Sequence, residues 1–155
     1  MSGQWSLLFH HCLLEQLERL KRASDKALAA NPDKAHENAN VKLYAALAKL
    51  MLETIPGDPG GDEYRQGNTM GPDFRHWRRA KIGRRFRLFF RYDSNTKVIV
   101  YAWVNDANTL RAKGSKHDTY AVFQKMLDRG NPPDDWDALL RESSEQAMKQ
   151  PAKPR

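Results

Sequence analysis

A chain of 155 residues can bury a core without disulfide support. Its single cysteine, Cys12, forms no internal bridge, which fits a reducing compartment such as the cytoplasm. The formal net charge of +7 points to a polyanionic partner, and the most apolar stretch, residues 45–52, is interrupted by Lys49 and far too short to span a bilayer. Residues 1–14 lack a basic leader followed by a long hydrophobic stretch, so no signal peptide is expected. The expectation is a single cytoplasmic domain over residues 1–145, followed by a polar, fraying tail at 146–155, with no membrane association.

Residues 5–9 read as a short strand. Leu13, Leu14, Leu17 and Leu20 then recur at the spacing of an amphipathic helix running to Ala30, where Asn31-Pro32 breaks it. From about His36, residues Val41, Tyr44, Leu47, Leu50, Met51 and Ile55 form a second helical stripe that ends before Pro56-Gly57, giving a helical hairpin. Residues 56–73 are rich in Gly and Pro without periodicity and read as a long exposed loop, either functional or a variable insertion.

Three strands follow. In 77–82, Ala80 and Ile82 share one face, with Trp77, Arg79 and Lys81 on the other. In 85–92, Phe86, Leu88, Phe90 and Tyr92 alternate with Arg85, Arg87, Phe89 and Arg91. After a turn at 93–96, residues 98–104 are apolar on both faces and read as a central strand. A helix over 118–128, with Tyr120, Phe123 and Leu127 inward, stops at Gly130. Asn131 is then expected to cap a short helix that starts with Pro132 and is anchored by Trp136 and Leu139.

The charge excess sits in residues 75–91, RHWRRAKIGRRFRLFFR, which carry Arg75, Arg78, Arg79, Lys81, Arg84, Arg85, Arg87 and Arg91 and no acidic residue. Arginines alternating with rings on a strand pair give a cationic sheet face that can grip phosphates, with Trp77 or Phe89 available to stack on bases. A solvated basic face with no ligand is the plainer reading. RNA supplies its own nucleophile, the 2′-hydroxyl, so a nuclease built on this face needs only alignment, proton transfer and charge stabilisation. Arginine and lysine provide the last without metal, and proton transfer falls to His117, Tyr120, Lys81 or an arginine acting through hydrogen bonds.

Other constellations are weaker. His10, His11 and Cys12 are consecutive, and neighbours on one helix or strand diverge, so a helix-start or packing role is expected rather than a metal site. Asp58, Asp62 and Glu63 lack calcium-loop spacing, and neither a phosphate-cradling Gly-Lys motif nor a Gly-x-Ser-x-Gly nucleophile is present. No cofactor and no metal are expected.

Residues 77–136 closely resemble the YhaV family of type II toxins, most specifically in RFRLFFRY at 85–92, WVNDANTLR at 103–111 and YAVFQKML…RGNPPDDW at 120–136. The N-terminal half fits more loosely, and the loop at 56–73 matches poorly. The resemblance implies an α+β, RelE-like fold: an antiparallel sheet with the N-terminal helical hairpin packed on one face and C-terminal helices. It implies a ribonuclease that inhibits translation and growth, associates with ribosomes and is neutralised by a PrlF-type antitoxin. The toxin–antitoxin complex is expected to bind its own promoter DNA.

By position, the resemblance places Arg79, Lys81 and Arg87 on the active surface. Arg85 matches an arginine that the family needs for toxicity, and Arg111 and Asn108 line the site from the loop after the last strand. The turn at Gly83-Arg84 is a residue shorter than in the family, so Arg84 and Arg85 compete for one position. His117 and Tyr120 complete the catalytic candidates, while Trp77, Arg78, Arg79, Arg84, Arg91 and Asn108 are the candidates for RNA binding. A noncatalytic module, acting as a ribosome-binding inhibitor or a transcriptional corepressor, shares the same basic face and is the competing reading.

Overall fold

A computed structural model of the protein describes residues 5–84, 86–106 and 115–145. The chain opens with β1 (Ser6–His10) and turns directly into α1 (His11–Ala30). The His10 ring caps that helix, its Nδ1 accepting from the Cys12 amide at 3.1 Å. This is the helix-start role expected for that histidine, because an N-cap side chain satisfies an amide the helix leaves unpaired. A 3-10 turn (Pro32–Glu37) leads into α2 (Ala39–Lys49), capped by Asn38. A π-turn (Leu50–Thr54) and the short α3 (Ile55–Gly57) extend the same rod to Gly57.

The sheet is completed by β2 (Arg78–Ile82), β3 (Phe86–Asp93), β4 (Val98–Val104) and the two-residue β5 (Ser143–Ser144), in the order β2-β3-β4-β1-β5. β2, β3 and β4 form the expected antiparallel meander, with β4 central. The sheet as a whole is mixed, because β1 runs parallel to β4. That parallel pairing is possible because the β4 neighbour is a strand distant in sequence, connected through the whole helical hairpin. Helices lie at both ends of the chain, α4 (Thr119–Asp128) and α5 (Trp136–Arg141) closing it. The fold is thus α+β, as the pattern predicts. No helix of the described residues is long and apolar enough to cross a membrane.

Alternation divides the sheet between two cores. On the hairpin side, Phe9, Ala80, Leu88, Phe90, Ile99 and Tyr101 pack on Leu13, Leu17, Leu47 and Met51. On the other side, Trp77, Phe89, Val100, Ala102 and Trp103 pack under Tyr120, Phe123 and Leu127 of α4. β4 changes phase between them. Phe89 opposes Trp103 and Phe90 opposes Tyr101, so Ala102 is an extra residue that lets two consecutive side chains face the second core.

Two expectations are corrected. The loop at 56–73 is exposed over much of its length but anchored at points: Tyr64 is buried edge-on to Phe90, Met70 joins the second core, and Arg65 bridges to Arg78 on the sheet edge. Its apolar residues are too few to show a period, yet Tyr64 and Met70 each reach a core, one on either side of the sheet. The last helix starts four residues later than expected. The Asn131 amide is still closing α4 by donating to the Met126 carbonyl, and Asp135 caps α5 through a 2.9 Å bond from the Ala138 amide.

Candidate active site

β2 and β3 pair so that Arg79 opposes Phe89 and Lys81 opposes Arg87. Cross-strand partners point to the same face, so Arg79, Lys81 and Arg87 share the side covered further along by α4. Two like charges directly opposite each other cost stability, and that cost is relieved when an anion sits between them.

Tyr120 meets this cluster from the first turn of α4. Asp118 caps the helix by accepting from the Tyr120 amide at 3.1 Å, which aims the tyrosine toward β3, and its ring lies edge-on to Phe89. The phenolic oxygen accepts from Arg79 Nε at 2.8 Å and from Arg87 Nε at 3.2 Å. Arg79 Nη1 also donates to the Glu63 carbonyl at 2.6 Å, while Arg87 Nη1 donates to the carbonyls of Arg84 and Phe86, each at 2.9 Å. Arg87 is only 6% exposed, yet among the described residues neither it nor Arg79 pairs with a carboxylate. A buried cation without a paired counter-charge is costly, and here neutral acceptors, a phenol and backbone carbonyls, carry the guanidinium hydrogen bonds. Alongside lies a cleft of about 480 Å³ between β2 and the turn at Asp62–Tyr64, lined by Arg65, Arg79 and Lys81 and also by Asp62 and Glu63.

Asn105 was not singled out in the sequence. It is 2% exposed, and its Oδ1 accepts from the Arg87 amide at 2.6 Å while its own amide donates to the Arg87 carbonyl at 3.4 Å. The side chain thereby extends the β3–β4 ladder by one rung at Arg87. A polar residue directly after seven apolar strand residues is the signal that could have found it. Asn105→Leu should cost about 1–3 kcal/mol by orphaning a buried amide, and should lower cleavage kcat more than KM. Asn105→Asp keeps the acceptor and should restore most of both, as read by chemical denaturation and single-turnover kinetics.

The remaining candidates are distributed unevenly. Lys81 and Arg84 are exposed at the rim, and His117 is exposed three residues before Tyr120, its amide bonded to Ser115 Oγ. Arg85, Asn108 and Arg111 lie outside the described residues.

Three candidates sit elsewhere. Arg78 projects to the opposite face of the sheet, over the Tyr92 ring. Trp77 is fully buried, its indole N–H donating to Asp134 at 2.8 Å and its ring edge-on to Phe123, so it offers no stacking surface; Phe89 is equally buried. Arg91 shares the face of Arg87 but runs beneath the chain before α5. It donates to the Asp134 carbonyl at 2.6 Å and lies near the rings of Trp77 and Trp136. Burial holds its basicity below the ordinary guanidinium value, against the opposing pull of Asp134 and Asp135. The arginines that meet Tyr120 are therefore gathered at one end of this face, and Arg91 at the other end is held under the chain before α5. Arg91→Met is expected to lose about 1–3 kcal/mol of stability, measured by denaturant titration, and to leave the cleavage rate within about threefold of wild type, since the lost interactions are with rings and a backbone carbonyl.

Fold and site together define a class: an α+β protein with a cluster of arginines meeting a tyrosine at one end of its sheet. The chain belongs to the YhaV toxin family, described as a toxin with endonuclease activity, of toxin-antitoxin system, whose model matches residues 7–144. It is 41% identical over 143 residues to the ribonuclease toxin YhaV of Escherichia coli (strain K12), covering 91% of this chain and 93% of that protein. The toxin YhaV of Escherichia coli O157:H7 gives the same figures, and that of Escherichia coli O6:H1 is 40% identical over the same length. No solved structure matches the chain significantly.

Proposed function

We propose that the protein is a metal-independent endoribonuclease toxin that cuts RNA at the Arg79–Arg87–Tyr120 cleft. The observation that carries this reading is the meeting of two guanidinium groups on one phenolic oxygen with no carboxylate partner among the described residues. The ribonuclease named among its relatives supports it.

Arg79 and Arg87 would take the non-bridging oxygens of the scissile phosphate, with Tyr120 fixing the spacing between the two forks. The 2′-oxygen forms a bond to phosphorus as the bond to the 5′-oxygen breaks, and the negative charge gathering on the phosphoryl oxygens is stabilised by donors already in place. One proton leaves the 2′-hydroxyl and another reaches the 5′-oxygen; Lys81, His117 and Tyr120 are the groups at hand for these transfers. Arg85, Arg111 and Asn108 are assigned to the same site, and the cleft beside β2 to a flanking nucleotide. The products are a 2′,3′-cyclic phosphate and a 5′-hydroxyl.

The partner that silences the toxin is a PrlF-type antitoxin that covers the cationic cleft. The complex binds its own promoter, and the free toxin acts in the cytoplasm on mRNA at the ribosome.

Incubating the purified protein with naked RNA in chelator, then mapping the ends, tests the reading. Cyclic phosphate ends support it. Intact RNA held in a tight complex would instead make the protein a noncatalytic binding module, whereas cleavage only with translating ribosomes would preserve the enzyme and remove its autonomy.

A further inference from the structure

Where β1 becomes α1, three potential ligand side chains gather, and Glu142 from the other end of the chain meets two of them. The donor atoms of His10, His11 and Cys12 all lie within 4.8 Å of one another. The divergence of consecutive residues holds within one helix or strand; here His10 ends the strand and the next two residues begin the helix, so the change of direction gathers them. Glu142, which follows α5, places Oε1 3.0 Å from His10 Nε2 and 3.3 Å from His11 Nε2.

We propose that His11, Cys12 and Glu142 form a binding site for a zinc-type divalent transition metal, with His10 holding the glutamate in place. Two donors each bound at about 2.0–2.1 Å to one tetrahedral ion stand about 3.3–3.4 Å apart, the spacing of the His11 and Glu142 atoms. His10 is assigned the outer role by its tautomer. Its Nδ1 accepts from the Cys12 amide, so its proton is on Nε2 and points at the carboxylate, as the groups that orient a ligating carboxylate do. A set of one imidazole, one thiolate and one carboxylate neutralises a divalent ion and suits zinc, while the sulfur selects against magnesium and calcium. His11 is half-exposed, which leaves the fourth position to water.

The site is separate from the nuclease cleft. Cys12 Sγ lies 3.3 Å from the side chain of Asn131, just past the end of α4, and the run from Tyr120 to that point is about 16 Å at helical rise. Bound metal would join the N-terminal strand–helix junction to the C-terminal segment that pairs with it through β5, reinforcing the His11-to-Glu142 backbone bond.

The test is a titration of the chelator-stripped full chain with Co²⁺ and then Zn²⁺. One equivalent of Co²⁺ should produce a thiolate-to-cobalt absorption band in the near ultraviolet, which Zn²⁺ bleaches. Cys12→Ser should lose that band, and His11→Ala, at a half-exposed position, should weaken Zn²⁺ binding by at least about 10–100-fold, the range that even an outer partner of a metal commands. His36→Ala, at an exposed position in the 3-10 turn, should change nothing. Absence of the band in the wild type overturns the proposal whatever the variants do. Equal Zn²⁺ affinity in wild type and His11→Ala, with melts showing both folded, also overturns it, since the ion would then bind elsewhere.

Discussion

Replacing Arg87 with alanine should lower the rate of RNA cleavage by roughly 10²–10³-fold, the loss seen when one pre-positioned donor to a developing oxyanion is removed. The guanidinium is held by Tyr120, by the carbonyls of residues 84 and 86, and through its own backbone by Asn105, so its fork is already oriented before substrate arrives. Arg87→Lys keeps the charge but cannot reach the phenol and the two carbonyls while presenting a planar fork, and should recover only part of the rate. Single-turnover cleavage of naked RNA measures the effect, and amide exchange across β3 shows whether the strand persists. A folded Arg87→Ala protein that cuts at the wild-type rate would remove the cleft from the reaction.

The second large effect is on stability. Phe89 is fully buried, stacked on Phe123 with centroids 4.2 Å apart and on Trp103 at 5.9 Å, and met edge-on by Tyr120. Phe89→Ala should cost about 3–5 kcal/mol through lost transfer energy and the cavity left behind. In a chain of this size each kcal/mol is worth about 2–4 °C, so the melting temperature should fall by roughly 6–20 °C. Activity should fall with it, because α4 carries Tyr120 and leans on that ring. The sequence also allows Phe89 to be an RNA-stacking residue. Full thermal stability with cleavage lost would favour that role over the one its burial assigns.

Local patterns were legible because they depend on neighbours in the chain. Alternation in 85–92 places Leu88 and Phe90 on one face and Arg87, Phe89 and Arg91 on the other, and the structure keeps that division. The long apolar run at 98–104 is central, as its two-sided character requires. Of the site, Arg79, Lys81, Arg87 and Tyr120 were named from charge, position and resemblance, and the first and last two converge on one oxygen. Asn105 was missed because its role is a single cross-strand bond to a backbone amide, which leaves no periodic trace.

What the sequence determined by itself is the alternation of charge and ring along two strands, the helical hairpin, and the family these motifs mark. What only the tertiary structure decided is which partner each arginine of the basic face meets. Arg87 and Arg91 are four residues apart on one strand and indistinguishable by pattern, yet one is buried against the Tyr120 phenol at the start of α4 while the other lies beneath Asp134 and near two tryptophans. The path of α4 and α5 across the sheet makes that difference, and it is set by the packing of Phe123, Trp136 and Leu139 against strands far away in sequence. Burial is a property of those long-range contacts, so identical side chains on one face can be held by entirely different partners.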